Sequence, residues 1–179
     1  SERLKRLDNA MNEWVEKGYM NGGAALIIRD GKIAYYKANG FNDLDTKAPL
    51  QKDGIFRIAS QTKAITSVAI MMLFDEGKLL LTDPVSMYIP SFKKQSVLVN
   101  FNPADTTYTT VPAKREVTIK DLLTHTSGLG YAQIGSKEAN AIYAKSNITA
   151  GLGVKDRTLL QAMTRLGEMP LMHQPGEKF

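Results

Sequence analysis

The chain has 179 residues, 43% hydrophobic and 23% charged, which suits one globular domain with a real core and room for a small second lobe. It contains no cysteine, which excludes disulfides, thiolate catalysis and Cys-ligated zinc but says nothing about compartment. The net charge is +5, yet the basic residues fall in small groups interleaved with acids (Arg3, Lys5, Arg6; Lys93, Lys94; Lys114, Arg115), the pattern of a solvated surface rather than of a nucleic-acid footprint.

Ser1 is placed to cap a helix whose apolar stripe runs through Leu4, Leu7, Met11 and Trp14 or Val15 and ends near Gly18. Gly22 to Arg29 (GGAALIIR) is a continuous apolar run, fit for a strand buried on both faces. Asp30-Gly31 is a strong hairpin signal, and Lys32 to Ala38 returns as the partner strand, with the first helix lying on the hairpin. Gly40 to Asp53 is rich in Asn, Asp, Gly and Pro and reads as loop. Phe56 to Ile58 is short and extended.

Ile58 to Gly77 (IASQTKAITSVAIMMLFDEG) is the stretch around which the rest is organised. Ser60 and Lys63 stand three positions apart, on one face of one helical turn. The residues that follow, Ala64 to Phe74, are apolar nearly all the way round, which predicts a buried helix closed by Gly77. The run is too short to cross a bilayer, and no segment reads as a signal-peptide core or a transmembrane span.

Asp83-Pro84 predicts the start of a short helix that Pro90 ends. Asn100 to Glu116 is polar, carries Pro103 and Pro112, and reads as a long surface loop. Thr118 with Asp121 is close to a capping box for a helix through Leu122 and Leu123, followed by a turn at His125 to Gly130. Residues 131–155 allow one helix, at Lys137 to Ala144. Asp156 is expected to cap a last helix with Leu159, Leu160, Met163 and Leu166 on one face, and Met169 to Phe179 to be extended loop.

Ser60 and Lys63 can be read as a nucleophile and its base. A serine hydroxyl needs a neighbour to take its proton, and Lys does so only when neutral. Burial and the positive end of a helix dipole both disfavour the ammonium. The Ser60 N–H at the helix start is a candidate oxyanion donor. Nine Ser and 16 Lys produce about one such pair by chance. A second copy, Ser91 with Lys94, lies in a charged loop. On helix context alone, a capping Ser and a snorkelling Lys serve equally well. No serine has the G-x-S-x-G setting of an α/β-hydrolase. His125 lies in a turn and reads as structural, His173 as exposed. No His, Asp or Glu cluster has metal spacing, there is no glycine-rich phosphate loop, and no cofactor is expected.

Phe56 to Lys63 (FRIASQTK) resembles the S-x-x-K nucleophile motif of the serine β-lactamase and penicillin-binding-protein superfamily. Leu79 to Pro90 (LLLTDPVSMYIP) resembles the segment that follows it there. Val117 to Gly130 (VTIKDLLTHTSGLG) is similar to the matching stretch of the class C-like branch, which includes β-lactamase-fold carboxylesterases. Pro175-Gly176 resembles the P-G that precedes the second motif of the family. The resemblance implies an α+β fold of β-lactamase/transpeptidase type, an antiparallel sheet flanked by helices plus a helical subdomain. Residues 1–57 would supply the N-terminal helix and first strands, and 58–179 the helical subdomain. It implies Ser60 as nucleophile, Lys63 as general base, and a small-molecule ester, β-lactam or peptidoglycan-like amide as substrate. Tyr131, just after the turn, is placed either in the substrate pocket wall or in plain packing. Family analogy gives an extracytoplasmic, periplasmic setting. The second motif (Tyr-x-Asn or Tyr-x-Ser), the third motif and the remaining strands are not present up to Phe179, so the chain resembles an N-terminal half. It is expected to need the other half to complete its fold and to be inactive alone. The competing reading is a penicillin-binding or sensor module of the same fold that does not turn over.

Overall fold

The computed structural model describes residues 2–149 and 156–179. Its chain falls into two compact units, Ser1–Ser60 and Gln61–Phe179.

In the first unit, helix α1 (Glu2–Glu16) is followed by strands β1 (Gly22–Arg29) and β2 (Lys32–Gly40), paired antiparallel. Asp30 and Gly31 both take positive φ (51° and 71°), the two left-handed positions that a two-residue hairpin requires. Ile28 faces Ile33 but Ile27 faces Tyr35, so Ala34 is an extra residue that bulges β2. The helix packs on β2 as the sequence predicts. Met11 is buried, the Tyr35 hydroxyl donates to Asp8 Oδ1 (2.6 Å), and Lys37 Nζ donates to Asp8 Oδ2 (2.7 Å). Burial, then the hydrogen bond to Asp8 and its charge, push the Tyr35 phenol up to about 12. The expected cap at Ser1 lies outside the described residues. The GGAALIIR strand differs from its expectation. Rather than being buried on both faces, Leu26, Ile27 and Ile28 are exposed, because among the described residues β1 pairs with β2 alone and α1 packs on β2. An apolar run records what a strand is able to bury, not what covers it. At Phe41 to Pro49 the loop closes through one isolated bridge, with Asp43 capping its own turn at Thr46.

The second unit opens with helix α2 (Gln61–Asp75). Its end is built by Gly77 at φ 68°, with Lys78 N–H reaching the Leu73 carbonyl (2.9 Å), the bond of a Schellman stop. The core of this unit gathers Leu79, Val85, Phe92, Val97, Val117, Ile119 and Leu171, with Ile70 of α2 packed against it. The predicted helix after Asp83-Pro84 is a single 3-10 turn, Val85–Met87, and a second 3-10 turn spans Pro90–Lys94. Pro84 stays extended (ψ 138°), while Asp83 spends its carboxylate on Leu80 N–H and the Tyr88 hydroxyl.

The polar segment that reads as a long loop holds a hairpin instead. Strand β3 (Ser96–Phe101) pairs antiparallel with β4 (Tyr108–Pro112), and Leu171 takes the other edge of β3 in a parallel bridge. Every residue of β4 is exposed, so it lacks the apolar alternation that marks a half-buried strand. Helix α3 (Ile119–Leu123) has the predicted capping box, Thr118 and Asp121 bonding each other's backbone N–H. Helix α4 (Lys137–Lys145) starts from a Ser136 cap. Helix α5 (Leu159–Gly167) is capped by Thr158 with Gln161, not by Asp156, which pairs with Arg157. Among the described residues no helix is long and apolar enough to cross a membrane.

Candidate active site

Ser60 is the last residue before α2, and Lys63 is the third residue within it. The chain enters that helix through a strained residue. Ala59 sits at φ 44°, a left-handed conformation that costs a residue with a Cβ about 1–2 kcal/mol. Such strain persists only where the surroundings impose it, and it concentrates at functional sites. Lys63 lies in the first turn of α2, at the positive end of the helix dipole. The buried setting expected for this helix is not found: α2 has no buried residue, Ser60 and Lys63 are exposed, and Ile65, Val68 and Met72 are each about 60% exposed. The sequence is apolar on every face, whereas this unit packs only the side carrying Ile70.

The turn after α3 is fixed in detail. Asp121 is buried and takes Arg115 in a two-pronged grip (Nη1 to Oδ2 2.5 Å, Nη2 to Oδ1 2.9 Å) together with the Thr118 N–H and hydroxyl. Burial pushes its carboxyl up, but the guanidinium and the Thr118 donors outweigh it and hold it down at about 2. Beyond it, His125 turns left-handed (φ 56°) and stands edge-on to the Phe179 ring. Gly128 takes φ 84°, and a Cβ there would come 2.5 Å from the His173 carbonyl oxygen. Its own carbonyl accepts from Met172 N–H, while the Thr126 carbonyl accepts from Gly176 N–H, each at 2.7 Å. Gly130 N–H donates to the hydroxyl of Tyr143, a fully buried residue whose phenol burial pushes up.

This rigid turn delivers Tyr131. Lys63 Nζ lies 5.7 Å from the centroid of the Tyr131 ring, within the range where a cation is drawn to a ring face. Two of the sequence-predicted site residues, Lys63 and Tyr131, are thus brought together. Tyr131 also lines a cavity of about 460 Å³ with Tyr143, Met163 and Leu166, so one side chain meets both the lysine and an apolar hollow. The walls of that hollow are not legible in the sequence. Met163 and Leu166 announce only a helix face in need of burial, and Tyr143 carries no signal beyond its place on α4.

The other residues weighed from sequence lie elsewhere. Ser91 and Lys94 occupy the second 3-10 turn, where the Ser91 Oγ is buried. His173 is half-buried rather than exposed, its Nδ1 2.9 Å from the Gln174 carbonyl. Among the described residues no group of acidic and histidine side chains could hold a metal ion.

The family model described as Beta-lactamase matches residues 7–179, nearly the whole chain. The chain belongs to the beta-lactamase family. It is 33% identical over 171 residues to the esterase EstB of Burkholderia gladioli, covering 96% of this chain and 40% of that protein. It is 36% identical over 170 residues to the protein Rv1367c of Mycobacterium tuberculosis, covering 94% and 40%. Among solved structures, it matches EstCE1, a hydrolase with promiscuous acyltransferase activity, with a TM-score of 0.79 and 28% identity over 98% of this chain and 42% of that one. The octameric penicillin-binding protein homologue of Pyrococcus abyssi matches with a TM-score of 0.62 and 26% identity, over 98% and 35%. This beta-lactamase-family chain therefore spans about 40% of the length of the relatives it resembles, and its fold is the corresponding part of the β-lactamase/transpeptidase architecture.

Proposed function

We propose that the protein is a serine hydrolase that works through an acyl-enzyme on Ser60. Ser60 Oγ attacks the carbonyl carbon of a carboxylic ester, Lys63 takes the hydroxyl proton, and the alcohol leaves with a proton. Water then adds to the acyl carbonyl and releases the acid, which frees Ser60 for another cycle. The observation that carries this reading is the entry to α2: a strained Ala59 sets Ser60 directly ahead of the helix, one turn from a lysine in its positive end. Likeness to an esterase supports an ester over a β-lactam or a peptide amide.

The proposal has a second half. The chain spans about 40% of the length of its relatives, and the second motif that the resemblance implies after Pro175-Gly176 is not among its residues. A lysine works as a base only when neutral, and the helix dipole is one of two forces that favour that form. The other is loss of water, which this chain alone does not supply because Lys63 is exposed. In a longer protein of the relatives' length, the added chain would cover α2, dry the lysine and contribute the other side of the oxyanion site.

In the full-length protein, Ser60→Ala abolishes turnover of a p-nitrophenyl ester, and a fluorophosphonate labels the unsubstituted protein but not the variant. Retained turnover removes Ser60 from the mechanism. Labelling of Ser60 with no turnover of esters makes the protein a sensor module instead.

A further inference from the structure

The cavity behind Tyr131 lies wholly within the second unit, between the turn at Gly130, α4 and α5. Tyr131, Tyr143, Ile148, Leu159, Ala162 and Met163 line it, and its volume of about 460 Å³ falls in the range of small-molecule sites, about 300–1,000 Å³. Three observations separate it from a packing defect. Its floor is rigid, because Tyr143 is fully buried and its hydroxyl accepts the Gly130 N–H. Its wall is open to solvent and apolar at once, since Leu159 is 76% exposed on the helix that frames it. Its lining includes Tyr131, the ring over which Lys63 Nζ lies. A hydrophobic group seated in this hollow therefore lies against the same ring as the general base.

We infer that this cavity is the acyl pocket, and that the protein's substrates are esters of hydrophobic, medium-chain carboxylic acids. The inference rests on the hydrolase reading and gives it a substrate class. Arg157, the cation of the lining, is committed to Asp156 and to the Asn147 carbonyl rather than to the hollow. A plain alkyl chain is the occupant that this chemistry recognises. Each methylene taken from water into such a lining raises kcat/KM about fourfold when fully buried, and less in an open cavity.

The test is a series of p-nitrophenyl esters, from acetate to decanoate, on the full-length protein. Octanoate is expected to exceed acetate in kcat/KM by about 100-fold, the partial-burial value for six added methylenes. Ala162→Trp, or the gentler fill Ala162→Leu where Trp impairs folding, lowers that octanoate-to-acetate ratio at least tenfold. Met163→Ala moves the optimum to a longer chain. A ratio near one, or a ratio that Ala162→Leu does not change, overturns the pocket and leaves the Ser60 chemistry standing. A readout independent of turnover decides the case in which no ester is cleaved. The Met163 methyl resonance, assigned by its loss in Met163→Leu, shifts on titration with octanoic acid and not with acetic acid. If it stays in place with both, the cavity does not take an acyl chain.

Discussion

Asp121 links sequence, fold and site through one side chain. Its carboxylate closes the cap of α3 through Thr118, anchors Arg115, and sits beside the Gly176 turn, so it ties the start of the helix to the segment after Leu171. It titrates at about 2 in the folded chain against an ordinary 3.8. Between those values the unfolded chain binds the proton and the folded one does not, so stability rises with pH through that window. The contribution, on the order of 2 kcal/mol, is complete above pH ~4 and is lost as pH falls towards 2. Asp121→Asn is expected to lower the free energy of unfolding by about 2–3 kcal/mol at neutral pH, somewhat less than for a fully buried pair because Arg115 is 45% exposed. Urea denaturation of both proteins across the acid range checks this: the gap between them closes as the pH drops through the window. A gap that stays constant with pH means that Asp121 acts through its shape and not its charge.

At the scale of elements, caps and turns decide more than apolar pattern does. Thr158 and Gln161 bond each other's backbone N–H at the start of α5, a nine-residue helix whose Leu159 and Leu160 are largely exposed. With so little packing at its first turn, the cap carries that turn. Thr158→Ala is expected to cost about 1 kcal/mol and to loosen the wall of the Tyr131 cavity. Hydrogen exchange of the first α5 amides would register the loss, as faster exchange there than in α4. The same local chemistry explains which elements are legible in the sequence. Asp30-Gly31 fixes a hairpin because few residue pairs accept two left-handed positions, and Thr118 with Asp121 fixes a helix start because both partners of the box lie close together in the chain. The β3–β4 hairpin is hidden because its second strand, Tyr108–Pro112, buries nothing and ends in Pro, so no apolar period marks it although Thr109, Thr110 and Val111 are β-branched. Asp156 reads as a cap because it precedes the apolar stripe, but Thr158 sits at the correct distance from Gln161. For the candidate site, Ser60, Lys63 and Tyr131 are expectations from spacing and resemblance, whereas the cavity is not legible in the sequence. Its walls come from residues more than ten positions apart, joined by the Gly130–Tyr143 hydrogen bond.

On the scale of the whole molecule, the feature to be explained is apolar surface. Ile65, Val68 and Met72 of α2 and, in the other unit, Leu26, Ile28 and Ile33 of the hairpin stand in solvent. Contiguous apolar surface on a soluble chain marks a face meant for a partner or for more chain, and it drives association when left bare. An unpaired edge on a two-stranded sheet adds to that tendency. The sign of one substitution therefore depends on context. In the isolated 179-residue chain, Val68→Lys puts a charge where water already is, and sedimentation velocity is expected to find more monomer and weaker concentration dependence than in the unsubstituted chain. In a full-length protein where further chain covers α2, the same change buries an uncompensated ammonium, which costs several kcal/mol. There it is expected to lower the thermal midpoint sharply or to prevent folding. A full-length protein that tolerates Val68→Lys without loss of stability has α2 uncovered. The drying of Lys63, on which the base role depends, would then have no source.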